Sequence, residues 1–296
     1  MFTSLIGERK KINNIHLIPS MDDGEEYMKV KITQLCEQIG LQPEIRAKVL
    51  RIASTLDLRF LGDLLKEFYN YEKARSVHLS IQTVLGEDSF NLKILTCMLY
   101  VSAITHGIYN ERGISDEIFF ATMKCYPRFL QETYQRTGRW EFDRFWWTAR
   151  QAGAHLFRIG ELEYEIKRLQ DDVIIGIHIP SDADLSPEAV NASLELSKHF
   201  FADYYPELSE CEYICHSWLM DPQLKKMLAS DSNILNFQLK FEIYDIGQES
   251  EDYLDWVFQT EGKSYKDLPE NTSLQRKLKE FLLLGGKIHD SYGRLN

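Results

Sequence analysis

Glycine and proline are scarce in this chain of 296 residues, with 16 and 8 respectively, together about 8% against a usual ~12%. Collagen-like repeats, Pro-rich linkers and long irregular loops are thereby excluded. Cysteine is also sparse. The five present (Cys36, Cys97, Cys125, Cys211, Cys215) are odd in number and lack C-x-x-C spacing, so neither a disulfide framework nor a zinc or redox motif is implied. The longest apolar run, 94–104, is about half a membrane span and contains Thr96 and Ser102. Residues 1–20 carry Arg9, Lys10, Lys11 and His16 where a signal peptide needs an unbroken apolar core. A basic excess is missing too. The formal net charge of -11 gives a field that repels phosphate and argues against a nucleic-acid partner. The expectation is a cytoplasmic protein with no nucleic-acid or membrane partner; its oligomeric state stays open.

What is present supports a folded chain of about two domains, because 44% hydrophobic residues suffice for a sizeable core. The charge is unevenly spread. Residues 1–140 hold 18 basic and 17 acidic side chains, whereas 141–296 hold 16 and 28, so the net acidity lies in the second half.

Apolar residues recur at three- and four-residue spacing in the first half, as in Val30, Leu35, Ile39 and in Ile45, Val49, Ile52, Leu56. That period predicts helices. Breaks are expected at 40–43, near Gly62, at 86–88, at 107–113 and at Gly138. Ser115-Asp116-Glu117 reads as a capped helix start, with Pro127 kinking that helix before it ends near Thr137.

After an aromatic cluster of Trp140, Phe142, Phe145, Trp146 and Trp147, the period changes to two. Residues 156–166 alternate as a hairpin turning near Gly160, and Val173 to Ile179 suits a strand buried on both faces. Ser186-Pro187-Glu188 starts a helix to about Tyr204. Strands are expected at 213–218 and 237–246, short helices from Asp221 and around 253–258, a helix at 272–284, and an edge strand at 287–292. The order predicts an α+β chain: an N-terminal extension (1–24), an all-helical domain (25–138), and a mixed sheet with flanking helices (139–296).

That order is similar to the GNAT-type N-acyltransferase fold from its second strand onward. The stretches Phe157-Arg158-Ile159-Gly160-Glu161-Leu162-Glu163, His178-Ile179-Pro180-Ser181-Asp182-Ala183, Ser217-Trp218-Leu219-Met220-Asp221-Pro222, Ser232-Asn233-Ile234 and Thr272-Ser273-Leu274-Gln275-Arg276 resemble a bacterial family. It pairs a helical N-acyltransferase N-terminal domain with a GNAT-like C-terminal domain, and the resemblance spans nearly all of the chain beyond the first ~25 residues. It implies acyl transfer from acyl-coenzyme A to a small-molecule or peptide amine, with no metal. The strands holding His178 and Ser217 are expected to part and admit the pantetheine arm.

Coenzyme A contacts then fall on Ile177, Ile179, Ser181, Asp182, Ala183 and Trp218, with Arg276 as a displaced phosphate contact. Such folds hold pyrophosphate in a glycine-rich, arginine-led loop, yet the matching 180–186 segment has neither residue and carries Asp182 and Asp184. With Glu188 these would repel pyrophosphate. The candidate bases are Glu163, His178 and His216; Glu161, Glu163 and Glu165 share one strand face, most simply a solvated one. No tyrosine follows in 221–228 to act as the acid, which leaves Ser217, Cys215, Tyr213 or Tyr244. Cys215 and His216 point to opposite faces and do not pair; Asp182-x-Asp184 is too short a signal for a cation site. Two other readings stay open: a catalytically silent ligand- or peptide-binding module, and a hydrolase using Glu163 and Asp182.

Overall fold

The computed structural model describes residues 21–260 and 264–296, with side chains from Tyr27 onward. The expected extension lies outside the described residues up to position 20. Eight helices come first: α1 Met21–Gln38, α2 Pro43–Ala53, α3 Phe60–Phe68, α4 Val77–Leu85, α5 Leu92–Arg112, α6 Asp116–Met123, α7 Cys125–Thr137 and α8 Phe145–Ala152.

Helix α5 is the centre of this half. It is long and apolar enough to cross a membrane by length and composition, but α1, α2, α4 and α8 pack around it. Two of the expected breaks fall elsewhere: Gly62 sits inside α3 and Gly107 inside α5. One glycine costs about 1 kcal/mol in a helix, less than burial of Leu61, Leu65 and Phe68 returns on α3. The helix opened by Ser115, which accepts the Ile118 N–H, stops at Met123. Pro127 therefore lies in the first turn of α7, where its missing N–H has no intrahelical partner to lose.

The second half is a six-stranded sheet with helices: β1 Leu156–Ile159, β2 Leu162–Leu169, β3 Asp172–His178, α9 Pro187–Tyr204, β4 Tyr213–Ser217, α10 Asn233–Gln238, β5 Phe241–Glu249, α11 Ser273–Leu283 and β6 His289–Leu295. The spatial order is β1-β2-β3-β4-β6-β5, with β3–β4 parallel and the other pairs antiparallel. The β1–β2 hairpin turns at Gly160 with φ +61°, which a side chain would strain.

Two strand expectations are corrected. Residues 237–240 end α10, capped by Ser232, so β5 starts at Phe241. Strand β6 is not an edge but inserts between β4 and β5, and β5 is the edge. Residues of β6 pair on both sides, and Gly293 leaves room for Met220 and Phe241.

Both faces of the sheet are covered. Helix α9 lies on the face of Tyr164, whose hydroxyl is 3.0 Å from Ser193 Oγ. The helical half covers the face carrying Glu163, Glu165 and His178, whose partners are Arg128, Arg75 and Arg150. One continuous apolar core runs from Ile32 in α1 to Phe241 in β5.

Candidate active site

Parallel pairing of β3 with β4 runs from Ile175↔Tyr213 to Ile177↔Cys215 and stops. Beyond it, His178 stays with Glu163 of β2, while His216 and Ser217 stay with Tyr292 and Ser291 of β6. The strands part there, and a cleft of about 550 Å³ opens between them. That volume lies within the range of small-molecule sites.

Glu163, His178, His216 and Ser217 all line this cleft, with Ile177, Ile179, Ser181, Ala183 and Trp218. Asp182 and Arg276 do not. Asp182 points to Arg158 at 2.9 Å and Arg128 at 3.3 Å, and Arg276 donates to the Glu270 carbonyl at 2.8 Å. Burial would raise the Asp182 pKa, but Arg128 and Arg158 outweigh it and hold the carboxyl below its usual range. The loop carboxylate expected to repel phosphate is thus neutralised by two guanidinium groups.

The face of Glu163 and Glu165 is not solvated; the two are 3% and 2% exposed. Glu163 Oε1 accepts from Arg128 Nη2 at 2.7 Å. Glu165 Oε1 accepts from Arg75 at 2.7 Å and lies 3.1 Å from Arg150 Nε, while Oε2 lies 2.8 Å from His178 Nε2. Burial alone would raise the Glu165 pKa, but the His178 hydrogen bond and the charges of Arg150 and Arg75 hold it below the ordinary range. A carboxylate only accepts, so Nε2 of His178 carries the proton and Nδ1 keeps its lone pair. Burial pulls the His178 pKa down against the raising effect of Glu165, which leaves the ring neutral at pH 7.

His216 is stacked on Tyr292 at 3.9 Å, and burial lowers its pKa as well. Ser217 Oγ accepts the Leu219 N–H at 3.1 Å, which leaves its own proton to donate. Cys215 is fully buried on the opposite face, where burial pushes its thiol up to about 12.

Sequence reasoning missed the basic wall of the cleft: Arg75, Arg150 and Lys167. Lys167 lies flat over Gly176, where a Cβ would sit 2.7 Å from its Cε. The aromatic cluster divides. Trp146 and Trp147 line the cleft, while Phe142 is core and Trp140 stacks on Tyr134. Trp147 meets His178 edge-on at 4.9 Å and lies under the Arg150 guanidinium at 4.0 Å. The available signal was Trp147-Thr148-Ala149-Arg150, which puts an arginine three residues from a tryptophan on a short apolar helix. Asp252, Asp255 and Asp290 also line the cleft. Burial, then Asp290 and Asp255, raise the Asp252 pKa. Among the described residues, no group of three or more His, Cys, Asp or Glu side chains is arranged to hold a metal.

The chain matches the N-acyltransferase N-terminal domain over residues 30–153 and the GNAT-like C-terminal domain over residues 156–295. No curated protein matches it in sequence. Among solved structures it is similar to an acyltransferase in complex with decanoyl-CoA, at 20% identity and TM-score 0.74, covering 88% of this chain and 86% of that one. It is similar to an acyltransferase in complex with decanoyl-CoA and teicoplanin at 22% identity and TM-score 0.71, with 88% and 86% covered. A mutant acyltransferase in complex with octanoyl-CoA gives 22% and 0.73, with 89% and 86% covered. These likenesses show a shared fold. The two matches in tandem identify the chain as an N-acyltransferase N-terminal domain followed by a GNAT-like C-terminal domain.

Proposed function

We propose that this chain transfers an acyl group from acyl-coenzyme A to a small-molecule or peptide amine in the cleft between β3 and β4. The observation that carries the reading is His178: a neutral imidazole at the point where the strands part, with Nε2 fixed by Glu165. The similar structures with acyl-CoA and with teicoplanin favour a thioester donor and a bulky amine-bearing acceptor.

On this reading the thioester carbonyl lies beside the backbone of Ile177, the last β3 residue paired with β4, and of Ile179 beyond that pairing. The amine nitrogen attacks the carbonyl carbon; a C–N bond forms and the C–S bond breaks. The proton lost by the amine passes to the free Nδ1 of His178, and Glu165 stabilises the resulting imidazolium. The Ser217 O–H faces the leaving sulfur, and the net proton transfer is from amine to thiol. Glu163 serves as a buried anchor for Arg128.

Millimolar coenzyme A or acyl-CoA should raise the melting temperature, and thiol release should require an added amine. His178→Gln should slow release by at least ~10²-fold. No thermal shift with any acyl-CoA, together with no thiol release across an amine panel, would sink the reading.

A further inference from the structure

Three cations line one wall of the cleft around a single carboxylate, Glu165, which two of them contact. Arg75 and Arg150 both face Glu165 Oε1, and Lys167 makes no hydrogen bond or ion pair among the described residues. Glu163, two residues before Glu165 on β2, is taken up by Arg128. Arg150 is 6% exposed, yet its Nε and Nη1 have no hydrogen-bond acceptor; Glu165 lies in ion-pair range of Nε but out of line. Buried guanidinium N–H groups left unpaired are costly, and a ligand acceptor in the cleft would satisfy them.

On the acyl-transfer reading above, we infer that the Arg75–Arg150–Lys167 wall receives a carboxylate carried by one substrate close to its reacting group. Proximity decides the distance: these side chains surround Glu165, which holds His178, and Arg150 and His178 touch the same Trp147 ring. The phosphates of coenzyme A are set back from the thioester by the whole pantetheine arm, so they do not reach a wall beside the base. A carboxylate accepts two parallel N–H bonds from a guanidinium and can pair with the neighbouring Lys167 ammonium. The acyl group or the amine acceptor can supply it.

The test is calorimetric binding to wild type, Arg150→Gln and Lys167→Gln with two matched pairs. Succinyl-CoA against butyryl-CoA places the carboxylate on the donor; N-butyrylglycine against N-butyrylglycinamide places it on the acceptor side. One charged member should bind wild type at least about tenfold tighter than its uncharged partner, and that ratio should fall to near one in the variants. If Arg150→Gln fails to fold, Lys167→Gln alone decides. Equal binding within both pairs overturns the proposal. So does an equal loss of butyryl-CoA and succinyl-CoA affinity in the variants, which would assign the wall to coenzyme A phosphates. Failure of every acyl-CoA to bind counts against acyl transfer itself, and the carboxylate wall is then judged on the butyrylglycine pair.

Discussion

His178 Nε2 donates to Glu165 Oε2 at 2.8 Å across the β2–β3 pair, and the same carboxylate anchors Arg75 and Arg150. One buried group therefore sets the tautomer of the imidazole and the position of the basic wall. Glu165→Gln keeps the shape and removes the charge. Because Glu165 raises the His178 pKa, the substitution should move the acid limb of the kcat profile to lower pH. It should also lower the plateau by about tenfold or more. A pH–rate profile that keeps its limb in place would assign Glu165 a packing role only.

Arg128 and Glu163 form a buried pair, 12% and 4% exposed at the side chain. Removing one partner strands the other charge. Arg128→Met should destabilise the protein by about 3–5 kcal/mol, and the Arg128→Met/Glu163→Leu double variant should recover part of that loss. Urea unfolding of the single and double variants measures the coupling.

His155 lies between α8 and β1 with Nε2 2.8 Å from the Phe68 carbonyl, and burial pushes its pKa down to about 4. A folded-state pKa below the unfolded value means that the unfolded chain binds the proton first. Stability is complete above about pH 6.5 and falls as pH drops toward 4, by up to ~1.4 kcal/mol per unit from this group. His155→Gln should flatten that part of a melting-temperature against pH curve. An unchanged slope would move the acid sensitivity to another group.

Gly153 closes the turn from α8 into β1, and a Cβ there would stand 2.1 Å from the Phe68 carbonyl oxygen. The obstacle is backbone, which cannot swing aside. Gly153→Ala should cost about 1–3 kcal/mol or more. Gly86→Ala, with nothing within 4 Å but φ +62°, isolates the separate cost of a left-handed backbone. Comparing denaturation midpoints of the two separates crowding from strain.

Elements whose signal is local were legible in the sequence: the Gly160 hairpin, the Ser115, Ser186 and Thr272 helix starts, and the apolar run of β3. The parting of β3 from β4 followed from the family resemblance, and nine of the eleven residues nominated for the site line the cleft there. Partners distant in sequence were not legible. Strand alternation puts Glu163 and Glu165 on one face, but nothing in 156–169 says that a layer of helices supplies Arg75, Arg128 and Arg150 to cover it. Counting charge by halves placed the loop carboxylates in a net-acidic region; the arginines that neutralise Asp182 are Arg158 of that half and Arg128 of α7 in the other. The edge placement of β6 failed for the same reason, since its pairing with both β4 and β5 is a long-range contact that no local pattern records.

Strand β6 is synthesised after β5 yet lies between β5 and β4. During translation the β3–β4 half of the sheet and strand β5 emerge without the strand that joins them, and Ser217 lacks its Ser291 neighbour. One wall of the cleft thus comes into being only when β6 slots in between β4 and β5. A chain halted before residue 289 would carry His178 and Glu165 but lack Asp290 of the cleft lining and the Tyr292 ring on which His216 stacks.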